Sequence, residues 1–265
     1  MIKISLPYIY NLATELDPIT KLQPDSKVFD VMYPLVSAHL GINSLLNNSV
    51  FASTLRSCRE SATTLQTNLQ HIMGKANENT TLSNYDVGVL NQQLEQFKIA
   101  LLAEIGVLPA YFVNQKGGFD TLTLLDWGHL IFPTDLHAKV PEAVFDVEQA
   151  AKALAYELPT AAGFHTFRAT ESVLRRYYTH VSGGKPHPRV RNIGVYIKGL
   201  RAAHSGDEIV LSSLEQLTKL HRNPLIHPEV VLTLEEAIST LGMARSVVSA
   251  MLNALPPAPP TTASP

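Results

Sequence analysis

The stretch FASTLRSCRESATTLQTNLQHI, residues 51–72, carries its apolar side chains at Phe51, Leu55, Cys58, Ala62, Leu65, Leu69 and Ile72. The intervals alternate between four and three residues, the spacing of one face of an α-helix rather than the alternation of a strand. The next long stretch, VGVLNQQLEQFKIALLAEIGVL, residues 87–108, repeats the pattern through Val87, Leu90, Leu94, Phe97, Leu101, Ile105 and Leu108. Between them, residues 74–80 are polar and turn-forming. The two stripes therefore predict a long antiparallel helical hairpin over residues 50–108, each arm ~30 Å long. Such a hairpin either packs within a bundle or serves as a docking arm for a partner.

The chain on either side has the same character. Asp120 stands as an N-cap before Leu124, Trp127 and Ile131, and Pro133 stops that helix. Val147, Ala151, Leu154 and Leu158 form another stripe, Pro159 suits a first helical position or a kink, and Phe164, Phe167, Leu174, Tyr178 and Val181 continue on one face. Further stripes run through Ile193, Ile197 and Leu200, and through Val210, Leu214 and Leu217. Thr233 and Glu236 have the form of a capping box, opening a last helix with Ala237, Leu241, Ala244, Val248, Met251 and Leu255 inward. No segment alternates as strands do, and no repeat of solenoid period occurs. The expected fold is all-α: an N-terminal helical region over residues 1–135, a helical bundle over 136–255, and a disordered Pro-rich tail over 256–265.

Composition narrows the function. The chain has 265 residues and a formal net charge of −2, with 45% hydrophobic and 17% charged residues, as expected of a globular protein with a core. Cys58 is the sole cysteine, so no intrachain disulfide and no cysteine-based zinc cluster exists. The histidines show no metal-ligand spacing, and no cofactor or metal is expected. The N-terminus lacks the pattern of a signal peptide and no apolar run reaches a membrane span, which predicts a cytoplasmic protein without a membrane partner. Lys116-Gly117-Gly118 is too short for a phosphate loop.

The charge is unevenly placed. Residues 1–136 hold 8 basic and 12 acidic side chains, whereas residues 137–265 hold 13 and 11. Between Phe164 and Arg201 stand eight basic residues and one acid, Glu171. Arg168, Arg175, Lys185, Arg189 and Arg191 are candidate RNA contacts, with Tyr177 and Tyr178 as stacking platforms for unpaired bases. Glu171 falls within the buried-facing row of its helix, where Arg168 or Arg175 is placed to pair with it.

The segment Arg222-Asn223-Pro224-Leu225-Ile226-His227 combines an obligate cation, an amide and an imidazole. Together they can stabilise a phosphorane charge and move protons at neutral pH, which suffices to cleave RNA without a metal. Its Arg-x4-His spacing resembles the signature of HEPN domains, helical-bundle proteins of bacterial toxin, antiphage and RNA-processing systems. The helix holding Phe164, Arg168, Glu171, Arg175 and Tyr178 also resembles the earlier helix of such domains, and the likeness covers residues 140 to 255. The resemblance implies a four- or five-helix bundle, homodimerisation that joins two motifs, and metal-independent endoribonuclease activity on RNA. Arg222 would stabilise the scissile phosphate, His227 would act in acid/base roles and Asn223 would position, with Glu171 as a proton carrier or a partner of Arg175 or Arg222. An antitoxin or defence-system protein is the implied partner. The alternative is a non-catalytic interaction, RNA-binding or nucleotide-binding module of a defence complex.

Overall fold

A computed structural model describes residue 4 and residues 6–77, 79–219 and 231–256, and among these every regular element is helical apart from isolated β-bridges. The all-α expectation holds. Two compact units divide the chain, Met1–Ala110 and Tyr111–Pro265. No helix among the described residues is long and apolar enough to cross a membrane.

The first unit contains α1 (Leu6–Leu16), α2 (Met32–Asn43), α3 (Cys58–Gly74) and α4 (Asn84–Ile105). α3 and α4 form the expected antiparallel hairpin. Their stripes are buried within this unit, where Leu65, Leu69, Leu90, Leu94 and Phe97 share one core with Leu35 and Ile42 of α2. Ser83 and Asp86 start α4 with a reciprocal capping box. The polar connection is tied down as well: the Val28 amide donates to Thr80 O and the Leu82 amide to Ser26 O, both at 2.9 Å.

The first arm begins later than the apolar spacing predicts. Residues 51–57 are turns, although Leu55 remains buried. Arg59 donates to the carbonyls of Leu46, Ala52 and Leu55, holding the preceding segment in turns. Glu104, near the end of α4, accepts from the backbone amides of Arg56, Ser57 and Cys58, so a carboxylate of the second arm caps the start of the first, which the antiparallel pairing brings beside it. Burial raises the Glu104 carboxyl, but the three amide donors outweigh it and bring it down to about 2. Burial, reinforced by Glu104, pushes the Cys58 thiol up to about 11, which leaves it protonated and unreactive at neutral pH.

The second unit contains α5 (Thr121–Asp126), α6 (Leu136–Lys139), α7 (Val144–Ala155), α8 (Pro159–Val181), α9 (Ile193–Ala202), α10 (Glu208–Leu217) and α11 (Leu234–Ala254). Asp120 caps α5 and the Thr233–Glu236 capping box opens α11, as their sequences predict. The division between units falls at residue 110, not at 135, because Leu124, Ile131 and Phe132 are buried in the second core. Trp127 ends α5 instead of continuing its stripe and is 56% exposed. The following turn has Gly128 against α7, where an added Cβ would lie 2.9 Å from the Ala151 Cβ. The expected tail begins at residue 256, and residues 257–265 lie outside the described residues.

α8 is the central element, packed on α7, α9 and α11. Its buried face runs from Ala162 through Phe167, Thr170 and Leu174 to Tyr178. Thr166 and Thr170 are buried at no hydrogen-bonding loss, because each hydroxyl donates 2.8 Å to the carbonyl four residues earlier. The Tyr177 hydroxyl accepts the Asp207 amide at 2.8 Å, linking α8 to the start of α10.

Glu104→Ala will destabilise the first unit by about 1 kcal/mol at neutral pH, the usual loss for a helix cap. Because the native carboxyl is depressed from 4.5 to about 2, its contribution is complete above pH ~4.5 and disappears as the pH falls toward 2. Thermal unfolding of both chains across that range should show the gap between them closing in acid.

Candidate functional site

Burial on three sides leaves α8 one outer stripe, with Phe164, Arg168, Arg175, Arg176 and Thr179 exposed and Ser172 half-buried. Residues 168, 172, 175 and 179 recur at intervals of four, three and four, so they stand above one another on successive turns. Beside the C-terminal half of this stripe is a cleft of about 300 Å³ lined by Glu142, Ser172, Arg175, Arg176, Thr179 and His187.

His187 belongs to the loop between α8 and α9 and pins it against the helices. Its Nε2 lies 3.3 Å from Thr179 Oγ1 and its Nδ1 3.2 Å from the Tyr196 hydroxyl. The imidazole also meets the rings of Tyr178 and Tyr196 at 5.7 and 5.8 Å. Both ring nitrogens are therefore engaged, and His187 acts as a fastener of the loop. Tyr178 adds a 3.5 Å hydrogen bond to Pro186 O.

Electrostatics distinguishes the cations of this region. Arg176 Nε donates 2.8 Å to Glu142 Oε1, and this ion pair holds the Arg176 guanidinium above its ordinary value. Burial raises the Glu142 carboxyl, but the Arg176 contact outweighs it and the net shift is downward. Arg201, within the basic run of the sequence, is neutralised by Glu208 at 2.7 Å and Glu215 at 2.9 Å. Arg175, Lys185, Arg189 and Arg191 are exposed and make no ion pair among the described residues. Burial raises the Tyr196 phenol; Arg175 and Arg191 oppose that shift, while Glu171 adds to it. The Tyr196 hydroxyl itself contacts His187, one of the residues that line the cleft.

The structure moves several of the expected residues. Glu171 is half-buried on α8, and Arg168 pairs across to α7, with Nε 3.2 Å from Asp146 Oδ1. Phe164 is 51% exposed, because the buried face is centred on residues 166, 170, 173 and 177 rather than on the row through 164 and 171. Tyr177 and Tyr178 are core residues, 1% and 7% exposed, so neither serves as a platform for bases. Lys116 is buried and paired with Glu157, at one side of a tight turn in which Gly117 and Gly118 take φ of 51° and 85°. It is a structural lysine. Arg222, Asn223 and His227 lie outside the described residues.

Sequence reasoning missed Ser172, Thr179 and His187 as parts of one cleft, and Tyr196 as the residue that holds His187 from behind. The helical recurrence of 168, 172, 175 and 179 was a readable signal for the first two. His187 had none, since its partners come from two helices. Compared with known proteins, the chain matches no family model, no curated protein and no solved structure.

Arg176→Ala will raise the Glu142 carboxyl, because burial then acts without its main opposition. Side-chain NMR titration should show Glu142 ionising at higher pH in the variant than in the parent chain.

Proposed function

We propose that this chain is a metal-independent endoribonuclease of the HEPN type, holding RNA along the outer stripe of α8 and cutting it with the Arg222–His227 motif. The observation that carries the reading is a set of exposed cations with no ion pair among the described residues: Arg175, which lines the cleft, and Lys185, Arg189 and Arg191, in the loop that supplies His187 to it. Exposed cations without carboxylate partners are free to take phosphates, and their contribution rises as salt falls. In this reading one histidine deprotonates the 2′-hydroxyl, which attacks the adjacent phosphorus. A second protonates the departing 5′-oxygen, while Arg222 stabilises the phosphorane and Asn223 positions. A homodimer supplies the two histidines. Glu171 acts as a positioning carboxylate, and an antitoxin or defence-system protein restrains the activity.

A second reading has a specific observation in its favour. The imidazole at the cleft, His187, has both nitrogens occupied, so the cleft is equipped to hold a phosphate without cutting beside it. The chain would then be an RNA- or nucleotide-binding module.

The purified chain should cut single-stranded RNA in EDTA, leaving 2′,3′-cyclic phosphate and 5′-hydroxyl ends. Arg222→Ala and His227→Ala should each lower the rate on the order of 10²-fold or more while RNA still binds. With four phosphates engaged, log Kd against log salt should have a slope of about 3, and Arg175→Glu should reduce both affinity and slope. Cleavage that disappears with chelator would overturn the nuclease mechanism. RNA binding without cleavage in any variant would favour the module.

A further inference from the structure

Toward the start of α8, about 10 to 16 Å along the axis from Arg175, lies a second polar cluster that the cleft does not include. Asp146 of α7 has a side chain only 7% exposed, and its Oδ1 meets His165 Nδ1 at 2.8 Å and Arg168 Nε at 3.2 Å. A carboxylate taken from water to the edge of a core is costly, and an apolar residue there would stabilise the fold at least as well. What this carboxylate does is orient two side chains. A carboxylate accepts from Nδ1–H, and in that tautomer of His165 Nε2 is the acceptor. Nε of Arg168 is the atom that pairs with Asp146, and its terminal amino groups have no ion pair among the described residues, which leaves them for an external anion.

Phe164 completes the group. Its ring is 51% exposed, with the Arg168 guanidinium 6.0 Å from its centroid and the His165 ring 6.0 Å away in an edge arrangement. An exposed aromatic face, a fixed guanidinium and an imidazole acceptor within two turns of one helix are the parts that recognise a nucleotide.

We propose that Phe164, His165 and Arg168, held by Asp146, form a nucleotide subsite in which a base stacks on Phe164, a phosphate takes the terminal amino groups of Arg168, and His165 Nε2 accepts from a ribose hydroxyl. The subsite deepens the RNA-binding reading, and rests on it for the source of the nucleotide: one unit of a single-stranded RNA crossing toward Arg175. A free mononucleotide presents the same chemistry.

The test uses the full chain carrying His227→Ala, in EDTA, with a fluorescent seven-nucleotide oligoadenylate and, separately, AMP. Phe164→Leu, which keeps the apolar surface and removes the aromatic face, should weaken oligoadenylate binding about tenfold, and Phe164→Trp should restore it. Arg168→Gln should weaken it comparably, and AMP should shift the His165 ring signals in NMR spectra. If Arg175→Glu lowers RNA affinity while Phe164→Leu and Arg168→Gln leave it unchanged, the RNA reading stands and the subsite is overturned. If the chain binds no RNA but AMP shifts His165 in a Phe164-dependent way, the RNA reading falls and the subsite stands as a free-nucleotide site. Neither binding RNA nor responding to AMP overturns both. A Phe164→Leu chain that is monomeric where the parent is dimeric, with unchanged affinity per chain, assigns Phe164 to self-association and also overturns the subsite.

Discussion

Everything on the functional face follows from how much of α8 must be hidden. α7, α9 and α11 all press on it, and the buried residues include Phe167, Leu174, Tyr177 and Tyr178. Removing that apolar surface from water is the dominant stabilising contribution in the second unit. With three sides committed, the polar residues of a 23-residue helix have one direction left. Arginines separated by a full turn or more in sequence are thereby stacked in one line without needing any contact among themselves. The fixed rotation of α8 also explains why Phe164 is exposed: its neighbours Gly163 and Phe167 are held inward, and a helix cannot present both sides at once.

The meaning of charge in this chain changes with position rather than with amount. A net charge of −2 gives no sign of an anionic ligand. The basic run between residues 164 and 201 is itself divided by the structure. Arg168, Arg176 and Arg201 are bound to Asp146, Glu142, and the pair Glu208 and Glu215. Such pairs contribute little to stability at an exposed surface, yet they orient guanidinium groups that would otherwise sample many rotamers. The cations of the loop after α8 have no such carboxylates. Paired arginines and cations with no ion pair among the described residues, Arg175 of α8 and those of the following loop, thus stand side by side in the basic run, a distinction that the linear count of basic residues conceals.

The helical stripes were legible because one face of each helix is buried and the spacing records it. The last helix's capping box and the Asp120 cap were equally local: Thr233 and Glu236, and Asp120, make their hydrogen bonds within three residues. What escaped the sequence was set by partners distant along the chain. Glu104 decides where α3 begins from 46 residues away. Tyr177 looked like an exposed platform from its place in a basic stretch, but its hydroxyl is committed to Asp207, 30 residues on. The expected boundary near residue 135 rested on its prolines, which interrupt helices without separating cores. The extent of α8's buried face was hidden too, since a two-stripe pattern and a three-sided burial share most of their apolar positions.

Two acids, Glu142 in the turn before α7 and Asp146 in its first turn, impose a condition on whatever binds α8. Each already holds an arginine of the stripe, so an incoming phosphate meets a guanidinium whose negative partner is fixed beside it. That lowers the attraction for any single phosphate below what a bare arginine offers. It raises the dependence on groups that bring a second interaction, such as a base for Phe164 or further phosphates for Lys185, Arg189 and Arg191. A surface of unpaired arginines alone would hold any polyanion. With carboxylates interleaved, affinity depends on several contacts being made together, and a flexible single strand satisfies their spacing more readily than an isolated anion does.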